Sequence, residues 1–329
     1  WSSDVCSSDL VIGIVGLNYD LFKQSPINKE LTIPYLTVIS LSIFPMFIFV
    51  AFKGFTDGLE DTKVGMIITL IALILNILLN FVLIEGWGFI PAMGLFGSGI
   101  ATLSARIFMA IVMALYVLTN KKYKPYFSKK HQHQTYVLEK KILQIGVPSG
   151  FQGFFEIATF GMAVVMMGWI STTAQAAHIV AINMASLTYM AATGIASAGG
   201  IHVGTALGDR SRKDIFSSAN AALKITIVFM GICASIMYFG KYWLIRGYTQ
   251  EQSVIDIAMN LVTWGAIFQL FGGIQAVSLG LLRGLQDVKI PTAITIFSYW
   301  VVGLPLSYYW GIQQSFGSVG IWMGLTASL

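Results

Sequence analysis

Glu156 is the residue of this sequence best placed to do chemistry, because it is an acid about halfway along an otherwise apolar stretch, 142–170. Roughly 20 helical residues cross the hydrocarbon core of a bilayer, so this stretch is long enough to span it. A carboxylate at that depth costs about 2.5 to 3.5 kcal/mol on insertion scales, and such residues usually mark an ion, proton or substrate pathway. We therefore predict that Glu156 has a function and lies on an ion, proton or substrate pathway. The alternative is a hydrogen-bonded acid that the fold merely tolerates.

Three more polar residues share a helical face with Glu156. Ser149 and Gln152 precede it by two turns and one turn of helix, and Thr159 follows it by nearly one turn. Residues at these spacings lie on one side of an α-helix. This polar face is predicted to contact protein or water rather than lipid.

Asn76 and Asn80 form a second polar pair, four residues apart in the apolar segment LNILLN. That spacing places both side-chain amides on one helix face. Such amides either join helices, at about 0.6 kcal/mol per hydrogen bond, or act as neutral ligands for a cation. The residues alone favour neither interpretation.

Other polar residues inside apolar stretches are candidates for lining a substrate cavity: Gln152, Thr159, Asn183, Gln275 and Arg106. Arg106 lies near the middle of stretch 95–118. A structural partner, or a side chain that snorkels to the interface, explains it better than a substrate contact. Gln269 and Gln275 are the notable polar groups of stretch 254–281.

The composition places these residues in a membrane protein. Hydrophobic residues make up 56% of the 329 residues and charged residues 11%, outside the range of soluble globular proteins. The apolar runs are continuous for about 20 residues instead of alternating, which indicates helices and not a β-barrel. Eight runs are long enough to span a bilayer: 31–52, 64–84, 95–118, 142–170, 176–206, 217–240, 254–281 and 290–311. We predict an all-α polytopic membrane protein surrounded by lipid.

Two shorter apolar runs lie at the ends of the sequence, at 10–22 and 318–329. They predict partial spans, as in a chain truncated at both ends. The Ser- and Asp-rich residues 1–9 are interpreted as a non-native tail.

The basic residues indicate topology. The net charge is +5, but Lys and Arg lie in short connections and not on one continuous face, so nucleic acid is not an expected partner. Every second connection is rich in Lys and Arg, which predicts that this set is cytoplasmic. The longest connection, 119–141, is predicted to be a cytoplasmic loop between an N-terminal lobe, 10–118, and a C-terminal lobe, 142–329.

An internal repeat supports two similar halves. GLEDTK at 58–63 recurs as GLQDVK at 284–289, and FGSGI at 96–100 recurs as FGSVGI at 316–321. Six predicted spans separate the first pair, so both copies lie on the same side of the membrane. The halves are therefore predicted to be parallel repeats with a substrate path between them.

Several motifs in order resemble the multidrug and toxic compound extrusion family, from about residue 10 to the end: GFTDGLEDTK, LNILLN, GVPSGFQGFFE, the segment 176–209 and LRGLQDVKIPT. The family has twelve helices in two six-helix lobes, so the resemblance implies that this chain runs from the end of the third helix to the start of the twelfth. It also implies export of amphipathic, often cationic compounds in exchange for protons or sodium. The expected setting is the bacterial cytoplasmic membrane, with a monomer, no further cofactor and no enzymatic activity.

On this resemblance, Glu156 matches the acidic cation-site residue of the family's seventh helix, and Asn76 and Asn80 match the paired asparagines of the fifth. Gly272 departs from the pattern, because the family's tenth helix often has Asp there. Sodium near Glu156 would need several oxygen ligands, and Gly272 supplies no side chain, so protons are slightly favoured as the coupling ion.

Two other function classes fit the sequence less well. A flippase for lipid-linked oligosaccharide or a related anionic lipid would need several cationic side chains in its cavity, and only Arg106 qualifies. A membrane enzyme ranks last, because the sequence has no paired catalytic acids, no zinc motif and no nucleophile with a base.

Overall fold

The computed structural model describes residues 26–87, 91–127 and 135–329. Within them, eight helical segments are long and apolar enough to cross a bilayer, which confirms the eight spans predicted from the sequence. The run 10–22 and the predicted tail 1–9 lie outside the described residues. The chain divides into two compact units, Trp1–Lys140 and Lys141–Leu329.

The described helices of the first unit are α1 Pro26–Leu41, α2 Ile43–Gly58, α3 Thr62–Glu85 and α4 Gly94–Thr119. Helices α1 and α2 together form one span, which is interrupted at Ser42. Pro45 has no N–H to donate to the carbonyl of Leu41, so the helical ladder is broken at this point. The Ser42 hydroxyl donates to the Ile39 carbonyl at 2.6 Å. The run 31–52, predicted as one span, therefore consists of two helices.

The connection after α4 packs against the first unit. Tyr123 is fully buried beside Met113 and Val117, and its ring meets that of Phe55 edge-on at 5.6 Å. A short 3₁₀ helix, Lys124–Phe127, follows. The next helix begins at Thr135, so the last residues of the predicted loop 119–141 are helical. Their Leu, Glu and Lys residues are good helix formers, which explains the earlier start.

The second unit contains α5 Thr135–Ile170, which begins at the end of the first unit, then α6 Thr172–Gly208, α7 Arg212–Arg246 and α8 Gln252–Gly284. The span Lys289–Gln313 combines α9 Lys289–Ile296 and α10 Leu304–Tyr308 with two π-helical segments, Phe297–Gly303 and Tyr309–Gln313. Pro305, which cannot donate a ladder hydrogen bond, lies between the π-helical segments. Helix α11, Gly317–Ala327, ends the described chain.

Helices α6 and α8 pack backbone against backbone. A Cβ atom added to Gly280 would lie 2.5 Å from the Ala196 carbonyl oxygen, and one added to Gly200 would lie 2.6 Å from the Gly280 carbonyl oxygen. Small residues at such a crossing allow helices in a membrane to approach closely. This contact holds α6 firmly beside α8.

Three turns between helices share one backbone conformation. Glu60, Arg210 and Gln286 have φ values of 59°, 56° and 64°, and each follows the last turn of a helix. In each turn the next residue donates its N–H back to a helix carbonyl, from Asp61 to Thr56, from Ser211 to Ala206 and from Asp287 to Leu282. This is the Schellman pattern. The predicted repeat accounts for the first and third turns, whereas the turn at Arg210 was not recognised in the sequence.

Candidate functional site

The polar face of α5 contacts the interior of the second unit. Ser149, Gln152 and Thr159 are buried, whereas Phe151 and Phe154 are exposed. Glu156 is half-buried between the two groups. The sequence spacing therefore predicted correctly which side of this helix contacts protein.

Glu156 lines a cavity of about 190 Å³ within the second unit, here called the Glu156 cavity. Helices α5, α6 and α8, the first π-helical segment and the C-terminal residue contribute its lining: Glu156, Ile157, Phe160, Ile182, Ala185, Ser186, Tyr189, Phe268, Gln269, Gly272, Tyr299 and Leu329. Among these described residues, Glu156 is the one charged side chain. The cavity therefore combines a single carboxylate with mostly aromatic and aliphatic walls.

Glu156 has a hydrogen-bond donor within the cavity lining. The Tyr189 hydroxyl on α6 donates to Glu156 Oε1 at 3.0 Å. The position of α6 is set by its contact with α8, so Tyr189 is supplied by a well-packed helix. The phenol stabilises negative charge on the carboxylate and orients it toward α6.

Gln269 gives the cavity a second polar group. Its Oε1 accepts a hydrogen bond from the Thr188 hydroxyl at 2.5 Å, which fixes the side-chain amide. Its Nε2 is buried and has no hydrogen-bond partner in the described part of the chain. Gln269 thus adds a buried, unsatisfied donor to the wall of the Glu156 cavity.

Tyr299 closes the cavity from the first π-helical segment. Its ring is buried, and its hydroxyl donates to Gln275 Oε1 at 3.1 Å. Gln275 therefore acts on the cavity through Tyr299 and does not itself line it. Three residues that complete the cavity, Tyr189, Gln269 and Tyr299, were absent from the set predicted from the sequence. Gln269 had a usable signal, a polar side chain three positions before Gly272.

Gly272 lies in the cavity wall, at the position where the resemblance led us to expect an acid. A Cβ atom added there would meet only Leu329 Cδ1 at 3.7 Å and Phe268 Cε1 at 3.9 Å. Both are ordinary van der Waals distances, so the cavity has room for a side chain at this position. The cavity lacks a second carboxylate because residue 272 is glycine, and not because an aspartate would not fit.

Three predicted cavity residues lie elsewhere in the second unit. Gln152 is buried, and its Oε1 accepts a hydrogen bond from Arg283 at 3.5 Å. Thr159 is buried and donates to the Phe155 carbonyl of its own helix. Asn183 is exposed and donates to the Ile179 carbonyl. None of them lines the Glu156 cavity.

The remaining predicted site residues belong to the first unit. Asn80 Nδ2 donates to Asn76 Oδ1 at 3.1 Å, so the two amides form a pair on α3. The Arg106 guanidinium donates to Ser42 Oγ at 2.7 Å, at the break between α1 and α2. This contact gives Arg106 the structural partner that the sequence analysis favoured.

The described residues contain no cluster of three or more His, Cys, Asp or Glu side chains suited to a metal ion. A cation at Glu156 would be held by one carboxylate and by neutral oxygens such as the hydroxyl of Ser186. A proton needs only the carboxylate, whereas hard metal cations prefer several oxygen ligands.

Comparison with known proteins identifies relatives along nearly the whole chain. The MatE family model matches residues 12–82 and 148–309. The chain is 31% identical over 339 residues to "Probable multidrug resistance protein NorM" of Idiomarina loihiensis, with 98% of this chain and 72% of the relative covered. It is 32% identical over 323 residues to the Bacillus subtilis protein of the same name, with coverages of 98% and 70%.

A solved structure has the same fold. The chain superposes on "Crystal structure of eukaryotic MATE transporter AtDTX14" with a TM-score of 0.87 at 18% sequence identity. The superposition covers 99% of this chain and 73% of that one. At this identity the similarity establishes the fold alone, and it confirms the predicted all-α, two-lobe bundle.

Proposed function

Because this chain belongs to the multidrug and toxic compound extrusion family, we propose that it exports amphipathic cations in exchange for protons, with Glu156 as the residue that carries the proton. The family membership predicted from the sequence motifs is confirmed. The chain is a multi-pass transporter of the bacterial inner membrane and not an enzyme. Multidrug resistance is what the names of its relatives state.

The single observation that carries the proposal is the position of Glu156 in the Glu156 cavity. Among the described lining residues, Glu156 has the one charged side chain, and four others carry aromatic rings: Phe160, Tyr189, Phe268 and Tyr299. Aromatic faces attract cations, and they do so most strongly away from water. A carboxylate among such rings favours a proton or an organic cation over any anion.

The size of the cavity supports a role in binding the coupling ion. Pockets for drug-sized ligands usually measure about 300 to 1,000 Å³, whereas this cavity measures about 190 Å³. It is large enough for a coupling ion or for one cationic group of a larger compound. We assign the Glu156 cavity to the coupling ion and expect most of an amphipathic substrate to bind outside it.

Protons fit this cavity better than sodium. The Tyr189 hydroxyl already donates its hydrogen to Glu156, and Gly272 contributes no ligand. With one carboxylate and few neutral oxygens, the lining offers sodium an incomplete ligand set. A proton neutralises the carboxylate directly, and the neutral acid suits the apolar walls.

Exchange follows from competition for one negative charge. An ionised Glu156 stabilises a nearby organic cation, and a protonated Glu156 does not. By linkage, if a bound proton lowers the affinity for the cation by some factor, a bound cation lowers the affinity for the proton by the same factor. Exchange of one proton for one monovalent cation moves no net charge, so the pH gradient drives it. A tenfold proton gradient supplies about 1.4 kcal/mol, which matches the cost of tenfold accumulation of the substrate.

We further propose that Asn76, Asn80 and the exposed Asn183 have supporting roles in cation and substrate binding, and that Gln275 acts through Tyr299. The Asn76–Asn80 pair supports this assignment, because Asn80 Oδ1 is buried and has no hydrogen-bond partner among the described residues. Such an oxygen can coordinate a bound cation or accept a hydrogen bond from it. We propose that the chain acts as a monomer.

The anionic-lipid flippase is not favoured. The Glu156 cavity contains no Lys, Arg or His among its described lining residues, and Arg106 is bound to Ser42. The negative carboxylate of Glu156 would repel an anionic headgroup in this cavity. Binding of a cationic dye, compared with an anionic lipid headgroup, separates the two functions.

The efflux of a cationic dye tests the proposal. Vesicles containing Glu156→Gln should lose proton-driven ethidium export, because an amide cannot release a proton. Glu85→Gln, at an exposed acid at the end of α3, is the control and should export normally. Thermal unfolding of each variant shows that it is folded. Unchanged export and unchanged proton dependence in Glu156→Gln would refute the assignment.

A further inference from the structure

A second polar cluster lies in the second unit, apart from the Glu156 cavity. Ser149 and Gln152 lie on the polar face of α5, and Arg283 is in the last turn of α8. The Arg283 guanidinium donates to Gln152 Oε1 at 3.5 Å. Thr292 of α9 donates to the Pro148 carbonyl at 3.3 Å, so three helices meet at this cluster.

The cluster contains three buried polar atoms that have no hydrogen-bond partner within the described residues: Ser149 Oγ, Gln152 Nε2 and Arg283 Nε. Ser149 is 7% exposed and Gln152 is 2% exposed. Leaving a buried polar group unsatisfied costs about 1 to 3 kcal/mol. Three such atoms on neighbouring residues indicate a shared missing partner and not three separate defects.

The chemistry of the three atoms defines that partner. The amide nitrogen of Gln152 and the guanidinium nitrogen of Arg283 only donate hydrogen bonds, and the Ser149 hydroxyl can also donate. The missing partner is therefore an acceptor. The positive charge of Arg283 and the two N–H donors disfavour a cation at this cluster.

The charge of the cluster points in the same direction. Arg283 makes no ion pair in the part of the chain that the structure describes. The nearest acids along the two helices are Glu156, which lines its own cavity, and Asp287, which lies beyond the end of α8. A partly buried guanidinium without a carboxylate favours an anion from outside the chain, and Arg binds carboxylate and phosphate in a bidentate manner.

We propose that Ser149, Gln152 and Arg283 form a binding site for a single carboxylate or phosphate group. Arg283 supplies the charge, and Gln152 and Ser149 supply neutral donors. The Lys and Arg distribution places Arg283 toward the cytoplasmic side, so the group comes either from a soluble anion of the cytoplasm or from a lipid headgroup of the inner leaflet. The site does not depend on proton exchange at Glu156.

Thermal unfolding of the purified full chain tests this site. One arm replaces chloride by inorganic phosphate at constant ionic strength. The other compares nanodiscs of phosphatidylcholine with nanodiscs that also contain phosphatidylglycerol. Saturable stabilisation by phosphate assigns a soluble anion, and stabilisation by phosphatidylglycerol alone assigns a headgroup.

Arg283→Gln should raise the anion concentration needed for half-maximal stabilisation at least tenfold. The matched control is Arg246→Gln, because Arg246 is also at a helix end but stacks on the ring of Tyr242 at 5.0 Å. If Arg283→Gln does not fold, Gln152→Leu removes one donor without removing the charge and should weaken binding less. The site is refuted if neither anion stabilises the wild-type chain, or if Arg283→Gln responds as the wild type does.

Discussion

Glu156 combines two opposing influences at one atom. The Tyr189 hydroxyl donates to its carboxylate and stabilises the charge, whereas the apolar walls of the Glu156 cavity favour the neutral acid. Neither influence fixes Glu156 in one protonation state, because its side chain is only half-buried. This balance of influences is what the proposed binding and release of a proton at Glu156 requires.

Gly272 provides a direct test of the choice of ion. Gly272→Asp adds a second carboxylate to the Glu156 cavity, where the added Cβ atom meets no contact closer than 3.7 Å. We expect sodium to stabilise this variant, since a ligand at 100 times its Kd adds about 2.7 kcal/mol. Melting temperatures in sodium chloride, compared with potassium chloride at the same ionic strength, measure the effect.

Gly272→Asn is the matched control, because it has the same shape without the charge. It should respond to sodium no more than the wild type does. Equal sodium responses in Gly272→Asp and Gly272→Asn would show that the missing acid does not decide the ion preference.

Asp61 predicts a pH dependence of stability. Its carboxylate accepts hydrogen bonds from Lys122 Nζ at 2.9 Å and Tyr123 Oη at 2.7 Å. The hydrogen bond from Lys122, followed by that from Tyr123, lowers the pKa of Asp61 below its usual 3.8. The stabilisation is therefore fully present above pH 3.8 and is lost as the pH falls through the lower pKa of the folded state.

The measurement compares melting temperatures of the wild type and Asp61→Asn from neutral pH to below 3.8. The wild type should be more stable near neutrality, and the difference should shrink in acid. Asp287→Asn, at the corresponding position of the repeat, is the control. A difference that stays constant with pH would mean that the hydrogen bonds of Asp61 contribute no net stability.

At the scale of elements, the turn at Gln286 stores a small conformational cost. Its φ of 64° is left-handed, which costs an L-residue about 1 to 2 kcal/mol relative to the right-handed region. Gln286→Gly should therefore be more stable than Gln286→Ala by about 1 kcal/mol. Both variants lose the same side-chain contacts, so chemical or thermal unfolding isolates the backbone effect. An equally stable pair would exclude strain at this turn.

The crossing of α6 and α8 makes a stronger prediction. Gly280→Ala places a Cβ atom 2.5 Å from the Ala196 carbonyl oxygen, so the helices must separate. Overpacking of this kind typically costs about 1 to 3 kcal/mol. Gly231→Ala in α7 is the control, because its Cβ atom would meet nothing within 4 Å. Unfolding of the two variants should differ, and equal stability would contradict the close packing.

Much of the helical architecture could be predicted from the sequence, because the apolar runs are long and their ends carry clear turn residues. Two details could not. The break at Ser42 depends on the consequence of Pro45 within a continuous apolar run. The π-helical segments between Phe297 and Gln313 leave no mark in hydrophobic periodicity, since they change the hydrogen-bond register and not the residue types.

The candidate site could be predicted only in part. Glu156 stands out as an acid within an apolar run, and its helical spacing correctly predicted which face is buried. Tyr189 and Tyr299 could not be predicted, because an aromatic residue in a membrane span usually only packs, and these come from helices distant in sequence. Gln152 and Thr159 share the face of Glu156 but contact neighbouring groups, since one helix face passes several different environments along its length.

At the scale of the whole molecule, the central claim is that a proton and an organic cation compete for Glu156. The most direct measurement is proton release from the purified full chain in weakly buffered detergent solution when ethidium is added. The wild type should release protons in proportion to the dye bound, and Glu156→Gln should bind dye with little or no release. Equal proton release from both proteins would contradict the claim.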